Sequence, residues 1–135
     1  LRQRAVRITQ VLPGEPVMVL GDRVRIEQVM INLLRNAIDA TKSVHDPEIE
    51  ILLAKGETAR LSVRDNGHGI ADPDQLFEPF YTTKQPGDGV GLGLAISSGI
   101  VGDLGGRLTA RNGQSGGAVF DVQLPIYEPA RDAAE

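Results

Sequence analysis

The sequence predicts an α+β protein: a two-layer sandwich, with a mixed, mostly antiparallel sheet covered on one face by helices. Three observations predict it. Two stretches carry the marks of helices, while six others alternate in period two or form short apolar runs. The later strand-like stretches come as neighbours joined by short turns, which is the pattern of hairpins. At 135 residues the chain holds one domain with a real core and has no room for two.

Residues 6–12 (VRITQVL) alternate roughly in period two and read as a strand. Pro13-Gly14-Glu15-Pro16 is a turn, and a short apolar strand follows at 17–20. Asp22 is placed as the N-cap of a long helix running from Arg23 to about Ser43. Its core stripe is Ile26, Val29, Met30, Leu33, Leu34 and Ala37, at spacings of three and four. Asp46-Pro47 breaks that pattern. Residues 48–54 and 59–64 read as strands joined at Lys55-Gly56-Glu57. Residues 66–89 carry Gly, Pro, Asp and Thr with little periodicity; so long an irregular stretch in a compact domain reads as a functional loop or lid. A second helix is expected from about Val90 to Leu104, stopped by Gly105-Gly106. Residues 107–112 and 118–124 form a last hairpin turning at 113–117, and 125–135 read as a loose polar tail. The domain is therefore expected to span 1–127, with 128–135 outside it.

Composition narrows the function classes. Aromatic residues make up only 4%, so the core must be aliphatic. No apolar run approaches the ~18 residues of a membrane span, and the Arg-containing start lacks the apolar stretch of a signal peptide. The absence of cysteine excludes disulfides and thiolate metal sites and fits a reducing compartment. A net charge of −4 argues against nucleic acid as a partner. It does not argue against a nucleotide, because glycine amides and Mg²⁺ can hold a triphosphate without a basic surface. The chain starts without an initiator methionine, as an excised domain would.

Four groups of residues carry the chemistry. Asn32, Asn36 and Asp39 stand at i, i+4 and i+7, on one face of the long helix beside its apolar stripe. They are either a solvated outer face or the polar wall of a pocket, where an Asn amide oxygen is a hard neutral ligand for Mg²⁺. Asp65-Asn66-Gly67-His68-Gly69-Ile70 follows directly on a strand. It is either a plain Asx-type turn or a loop in which Asp65 accepts from an exocyclic amine such as adenine N6 and the glycines lie under the ring. Leu76 to Lys84 (LFEPFYTTK) holds three of the five aromatics. Phe77 and Phe80 are expected to pack on the core; Thr83 and Lys84 are not explained by packing, and Lys84 could meet a terminal phosphate as a point charge. Gly89-Val90-Gly91-Leu92-Gly93-Leu94 opens the second helix. Glycines let the backbone approach a ligand, and a helix start offers free N–H groups to phosphate. This run fits neither G-x-G-x-x-G nor a P-loop, so a nucleotide site here is of another design.

Taken in order, NLLRNAIDA, DNGHGI, LFEPFYTTK and GVGLGLAIS resemble the N, G1, F and G2 boxes of sensor histidine kinases. The match covers about residues 17–125. The wider family is the Bergerat-fold ATPases, with gyrase and Hsp90. FEPFYTTK, GGRLTARN and GGAVFDVQLP look most like kinases that sense C4-dicarboxylates or nitrogen status. The resemblance implies that Asn36 ligates Mg²⁺, with Asn32 one turn earlier near the phosphates. It implies that Asp65 reads adenine, that Gly67, Gly69 and Ile70 shape the base pocket, and that Gly89, Val90, Gly91, Leu92, Gly93 and Leu94 wrap the phosphates of ATP. Thr83 and Lys84 belong to the lid, and Asn32 and Lys84 are the candidate catalytic residues.

Three positions depart from the family pattern. Asp39 stands where many members have a basic residue, so it would bind water or Lys84 rather than phosphate. Ala40 replaces a common aromatic, and Ala118 a common threonine. Neither His45 nor His68 has the setting of a phosphoacceptor. The resemblance therefore implies the catalytic and ATP-binding domain alone: a cytoplasmic part of a membrane-anchored bacterial sensor. Its partners would be a histidine-bearing dimerisation domain and the receiver domain of a response regulator, in a two-component phosphorelay, with no nucleic acid and no membrane contact of its own. Asparagine at position 32 cannot serve as the water-activating base that gyrase-type relatives carry there, which favours phosphotransfer over hydrolysis. Rival expectations are a sigma-factor-binding serine kinase, a nucleotide-binding module without catalysis and an ATP-gated clamp.

Overall fold

A computed structural model describes residues 5–79 and 92–128. In chain order the elements are β1 (Arg7–Val11), α1 (Arg23–Ala40), β2 (Glu48–Lys55), β3 (Thr58–Asp65), α2 (Gly93–Asp103), β4 (Arg107–Asn112) and β5 (Ala118–Pro125). The strands form one sheet in the order β1-β2-β3-β5-β4. β1 pairs parallel to β2, as a strand reached through a helical crossover must; the other pairs are antiparallel. This is the expected α+β architecture.

The register sorts the side chains. Leu61 and Val63 of β3 face Val122 and Phe120 of β5, and Leu108 of β4 joins Val122. Their common face meets Val29, Leu33 and Ala37 of α1 and Ile100 and Val101 of α2. Among the described residues the buried core is aliphatic apart from Phe120, against which Phe77 packs edge to face at 6.5 Å. On the open face Asp121 is buried beneath its own partners: the Ser62 hydroxyl donates to Oδ1, and the Arg60 guanidinium lies 3.3 Å from Oδ2.

Asp22 caps α1 as expected, its Oδ1 accepting from Val24 N at 2.9 Å. The helix stops at Ala40, three residues before the predicted end. Thr41, fully buried, turns its hydroxyl back onto the carbonyls of Ala37 and Ile38 at 3.1 and 3.0 Å and so satisfies the last turn. α2 ends at Asp103 with Leu104 as its C-cap, one residue before the expected end, and Gly105 takes the left-handed conformation (φ +81°) that ends many helices.

The predicted strand at 17–20 does not form. Val17 and Val19 point inward and Met18 and Leu20 outward, so the side chains alternate as in a strand although all four are apolar. The segment leaves the sheet to close the end of the core, however, and the ladder is replaced by one bond, Tyr127 N to Met18 O at 2.8 Å. The same bond corrects the loose tail: Pro125 belongs to β5 and Tyr127 is tied down. Residues 129–135 lie outside the described residues. Beneath 17–19 an apolar cavity of about 180 Å³ lies among Ile26, Val101, Leu104, Val122 and Leu124.

Candidate functional site

Asp65 is the last residue of β3 and is only 3% exposed. Its Oδ1 accepts from Gly67 N at 2.8 Å and from Ala118 N at 3.3 Å. Its Oδ2 is buried and has no partner among the described residues. Burial pushes the carboxyl above its ordinary value of 3.8, against the pull of those two amides and of His68. An unpartnered buried acceptor costs ~1–3 kcal/mol, more when charged, so one held in place is a sign of a ligand donor.

The loop after Asp65 is clamped from three sides. Gly67 lies against the end of α1: a Cβ there would stand 2.2 Å from Ala40 O, the carbonyl that accepts from His68 N at 3.3 Å. An aromatic side chain is absent at position 40, and the small Ala40 lets the loop close on the helix. Asn66 donates to Asp46 O and accepts from Glu48 N, both at 2.9 Å, tying the loop to the start of β2. Gly69 has φ +82° and abuts the side chain of Asn112, which binds both backbone groups of Ile70. From above, Gly117 (φ +72°) presses on the Asp65 carbonyl; a Cβ there would be 1.9 Å away. The His68 side chain is exposed, its ring Nδ1 lying 2.7 Å from Gly69 O, as suits a loop residue.

α1 supplies the adjoining wall. Asn32, Asn36 and Asp39 are half-buried, between exposed Ile31, Arg35 and Ile38 and buried Leu33 and Ala37. The Asn32 amide nitrogen donates to Gly93 O at 3.3 Å and to the buried Ser97 hydroxyl at 3.1 Å, so it braces α1 against the first turn of α2. The N-cap, Leu92, makes no side-chain bond to that turn, and an uncapped helix start suits an anion. From Asn32 to Ala40 the helix advances about 12 Å. One wall thus runs from the Asp65 loop to the open α2 start, over the reach of a nucleotide from base to phosphates. Among the described residues no cluster of three or more His, Asp or Glu could cage a metal. Asn36 as a single neutral oxygen donor on this wall fits an ion that arrives with the phosphates.

Of the predicted residues, Asp65, Gly67, Gly69 and Ile70 come together at the Ala40 end. Leu92, Gly93 and Leu94 come to the Asn32 end, and Asn36 and Asp39 lie on the flank between. Thr83, Lys84, Gly89, Val90 and Gly91, with Phe80, lie outside the described residues. Sequence reasoning missed Ser97, Asn112 and the pressing role of Gly117. The Gly116-Gly117 pair carried a visible signal for the last; nothing in the spacing marks the first two.

Residues 21–128 match the family described as Histidine kinase-, DNA gyrase B-, and HSP90-like ATPase. The chain belongs to this ATPase family. Among curated relatives, the C4-dicarboxylate transport sensor protein DctB of Rhizobium meliloti is 46% identical over 91% of this chain and 20% of its own length. The two-component sensor PprA of Pseudomonas aeruginosa is 40% identical over 96% of the chain and 15% of its own. The chain thus spans a fifth or less of these proteins. Among solved structures, the catalytic domain of histidine kinase ThkA superposes with a TM-score of 0.77 at 35% identity, covering 89% of this chain and 78% of that one. The fold is that of the histidine-kinase catalytic domains within the family. The resemblance to sensor kinases, C4-dicarboxylate sensors included, is borne out. No described helix is long and apolar enough to cross a membrane.

Proposed function

We propose that this ATPase-family domain binds Mg·ATP and passes its γ-phosphoryl group to a histidine on a separate dimerisation and phosphoacceptor domain, for relay to an aspartate of a response-regulator receiver. The observation that carries the nucleotide reading is the buried Oδ2 of Asp65, without a partner among the described residues. It suits the 6-amino group of adenine, with Gly67, Gly69 and Ile70 beneath the base. At the other end the open first turn of α2 (Gly93, Leu94) with Leu92, continuing the run Gly89, Val90, Gly91, receives the phosphates through main-chain amides. Asn36 would hold Mg²⁺, which supplies charge neutralisation between phosphate oxygens. Thr83 and Lys84 act from the lid, Lys84 as a point charge on the terminal phosphate, and Asp39 holds water or Lys84.

The transfer itself needs position more than covalent help. An imidazole nitrogen attacks the γ-phosphorus, the bond to the β,γ-bridging oxygen breaks, and ADP leaves with that electron pair. Asn32 supports transfer over hydrolysis in two ways. An amide is no base for water, and its nitrogen is engaged in bracing α2. The domain occupies residues 1–127 of this chain. It sits on the cytoplasmic side of a membrane-anchored sensor, touching neither membrane nor nucleic acid.

The test is transfer from γ-labelled Mg·ATP to the histidine domain of a C4-dicarboxylate sensor supplied in trans. Acid-labile label on that domain, abolished by Asn36→Ala and by Gly91→Ala, is the expected result. Unchanged labelling in both variants refutes the site. Acid-stable label on a serine, or brisk ATP hydrolysis by the isolated chain, refutes the reaction.

A further inference from the structure

We infer that Asn112 is a positioning residue for the base pocket, acting through Ile70; the inference rests on the nucleotide reading above. Asn112 binds both backbone groups of one residue. Ile70 N donates to its Oδ1 at 2.7 Å, and its Nδ2 donates to Ile70 O at 3.2 Å. A primary amide has the same donor and acceptor pair as a peptide unit, so the side chain imitates one rung of an antiparallel ladder where no described strand runs alongside. The approach needs glycine next door: a Cβ on Gly69 would stand 2.8 Å from Asn112 Oδ1.

The rung has a second end. Asn112 is the last residue of β4, and its partner across the hairpin is Ala118. Ala118 N is one of the two donors that hold Asp65 Oδ1. Asp65, at one end of the loop, and Ile70, at the other, are therefore both anchored on the single pair Asn112–Ala118. That pair sets the spacing between the carboxylate that meets the amine edge of the base and the loop that lies under the ring. Removing the amide frees the peptide groups of Ile70 to turn to water. The loop must then be ordered by the ligand, and affinity falls for any compound that carries the base.

The experiment uses the whole chain as wild type, Asn112→Ala and Asn112→Asp, at a temperature well below the melting point of each. Three quantities are read: Kd for adenosine, Kd for Mg·ATP and hydrogen exchange of the Ile70 amide. In Asn112→Ala the Ile70 amide loses its protection, and both Kd values rise by the same factor, about tenfold for one lost rung. Asn112→Asp retains the acceptor for Ile70 N and falls between the two. If Asn112→Ala leaves the adenosine Kd unchanged, even with a lowered melting point, the residue is only a structural brace and the inference is overturned. If it weakens Mg·ATP but not adenosine, the effect lies at the phosphates and the inference is overturned as well. Should Asn112→Ala not fold, an Asp variant that loses Ile70 protection without losing affinity overturns it. Wild type that binds neither compound while Ile70 stays protected refutes the nucleotide reading itself, and with it this role.

Discussion

Asp65→Asn separates affinity from stability. The substitution is isosteric, and an oxygen at the Oδ1 position keeps the bonds from Gly67 N and Ala118 N. At the Oδ2 position it replaces an acceptor with an amide NH2 donor. A 6-amino group that donated to the carboxylate now meets another donor. The loss is a charge-assisted hydrogen bond, ~1.5–3 kcal/mol, plus ~1–3 kcal/mol for donors left unpaired, so Kd for Mg·ATP rises at least about sixtyfold. The nucleotide-free fold moves the other way. Asp65 is held above 3.8 by burial, so the folded state prefers the neutral acid. The group's contribution to stability is fully present below 3.8 and is lost as pH rises through the raised folded value. At neutral pH the carboxylate is a burden, and the neutral amide removes it. The melting point of Asp65→Asn therefore equals or exceeds that of wild type, and its pH dependence is flatter. In wild type, affinity for Mg·ATP falls as pH is lowered through the same raised value, because protonation removes the acceptor. Inosine triphosphate, with an oxygen in place of the 6-amino group, gives the converse: poor binding to wild type and a relative gain in the variant. Calorimetry with both nucleotides, beside thermal melts, reads all of this. Mg·ATP binding by Asp65→Asn at wild-type strength would show that Oδ2 does not read the base.

Two further outcomes follow from packing. Gly117→Ala combines a positive φ with a Cβ 1.9 Å from Asp65 O, so it costs ~2–4 kcal/mol or prevents folding, whereas Gly14→Ala, with nothing within 4 Å, leaves the denaturation midpoint nearly unchanged. Val122→Ile places one more methylene against the 180 Å³ cavity and raises stability by ~0.8 kcal/mol with ATP affinity unchanged; a lower urea midpoint would show that the added group clashes there.

Local signals carried far along this chain. The stripe on α1 and its Asp22 cap locate the helix to within a turn, because periodicity and capping chemistry are short-range. The hairpin β4–β5 is legible for the same reason. The segment 17–20 shows the limit: a run of four apolar residues says that it lies against the core, not which of them turn inward or whether a neighbouring strand is free to pair with it. Asn112 is another case, since a strand-end asparagine looks like any turn residue until Ile70 is brought beside it from 42 positions away.

The sequence by itself determined the α+β class, most element boundaries, and the residue types a nucleotide site needs, in order along the chain. Those follow from periods, caps and glycines, each a property of a few adjacent residues. The tertiary structure alone decided that one oxygen of Asp65 is buried without a partner among the described residues, that Asn32 braces the start of α2, and that a single β4–β5 rung holds both ends of the loop from Asp65 to Ile70. Burial and hydrogen-bond partners depend on segments distant in sequence, and only packing brings them together.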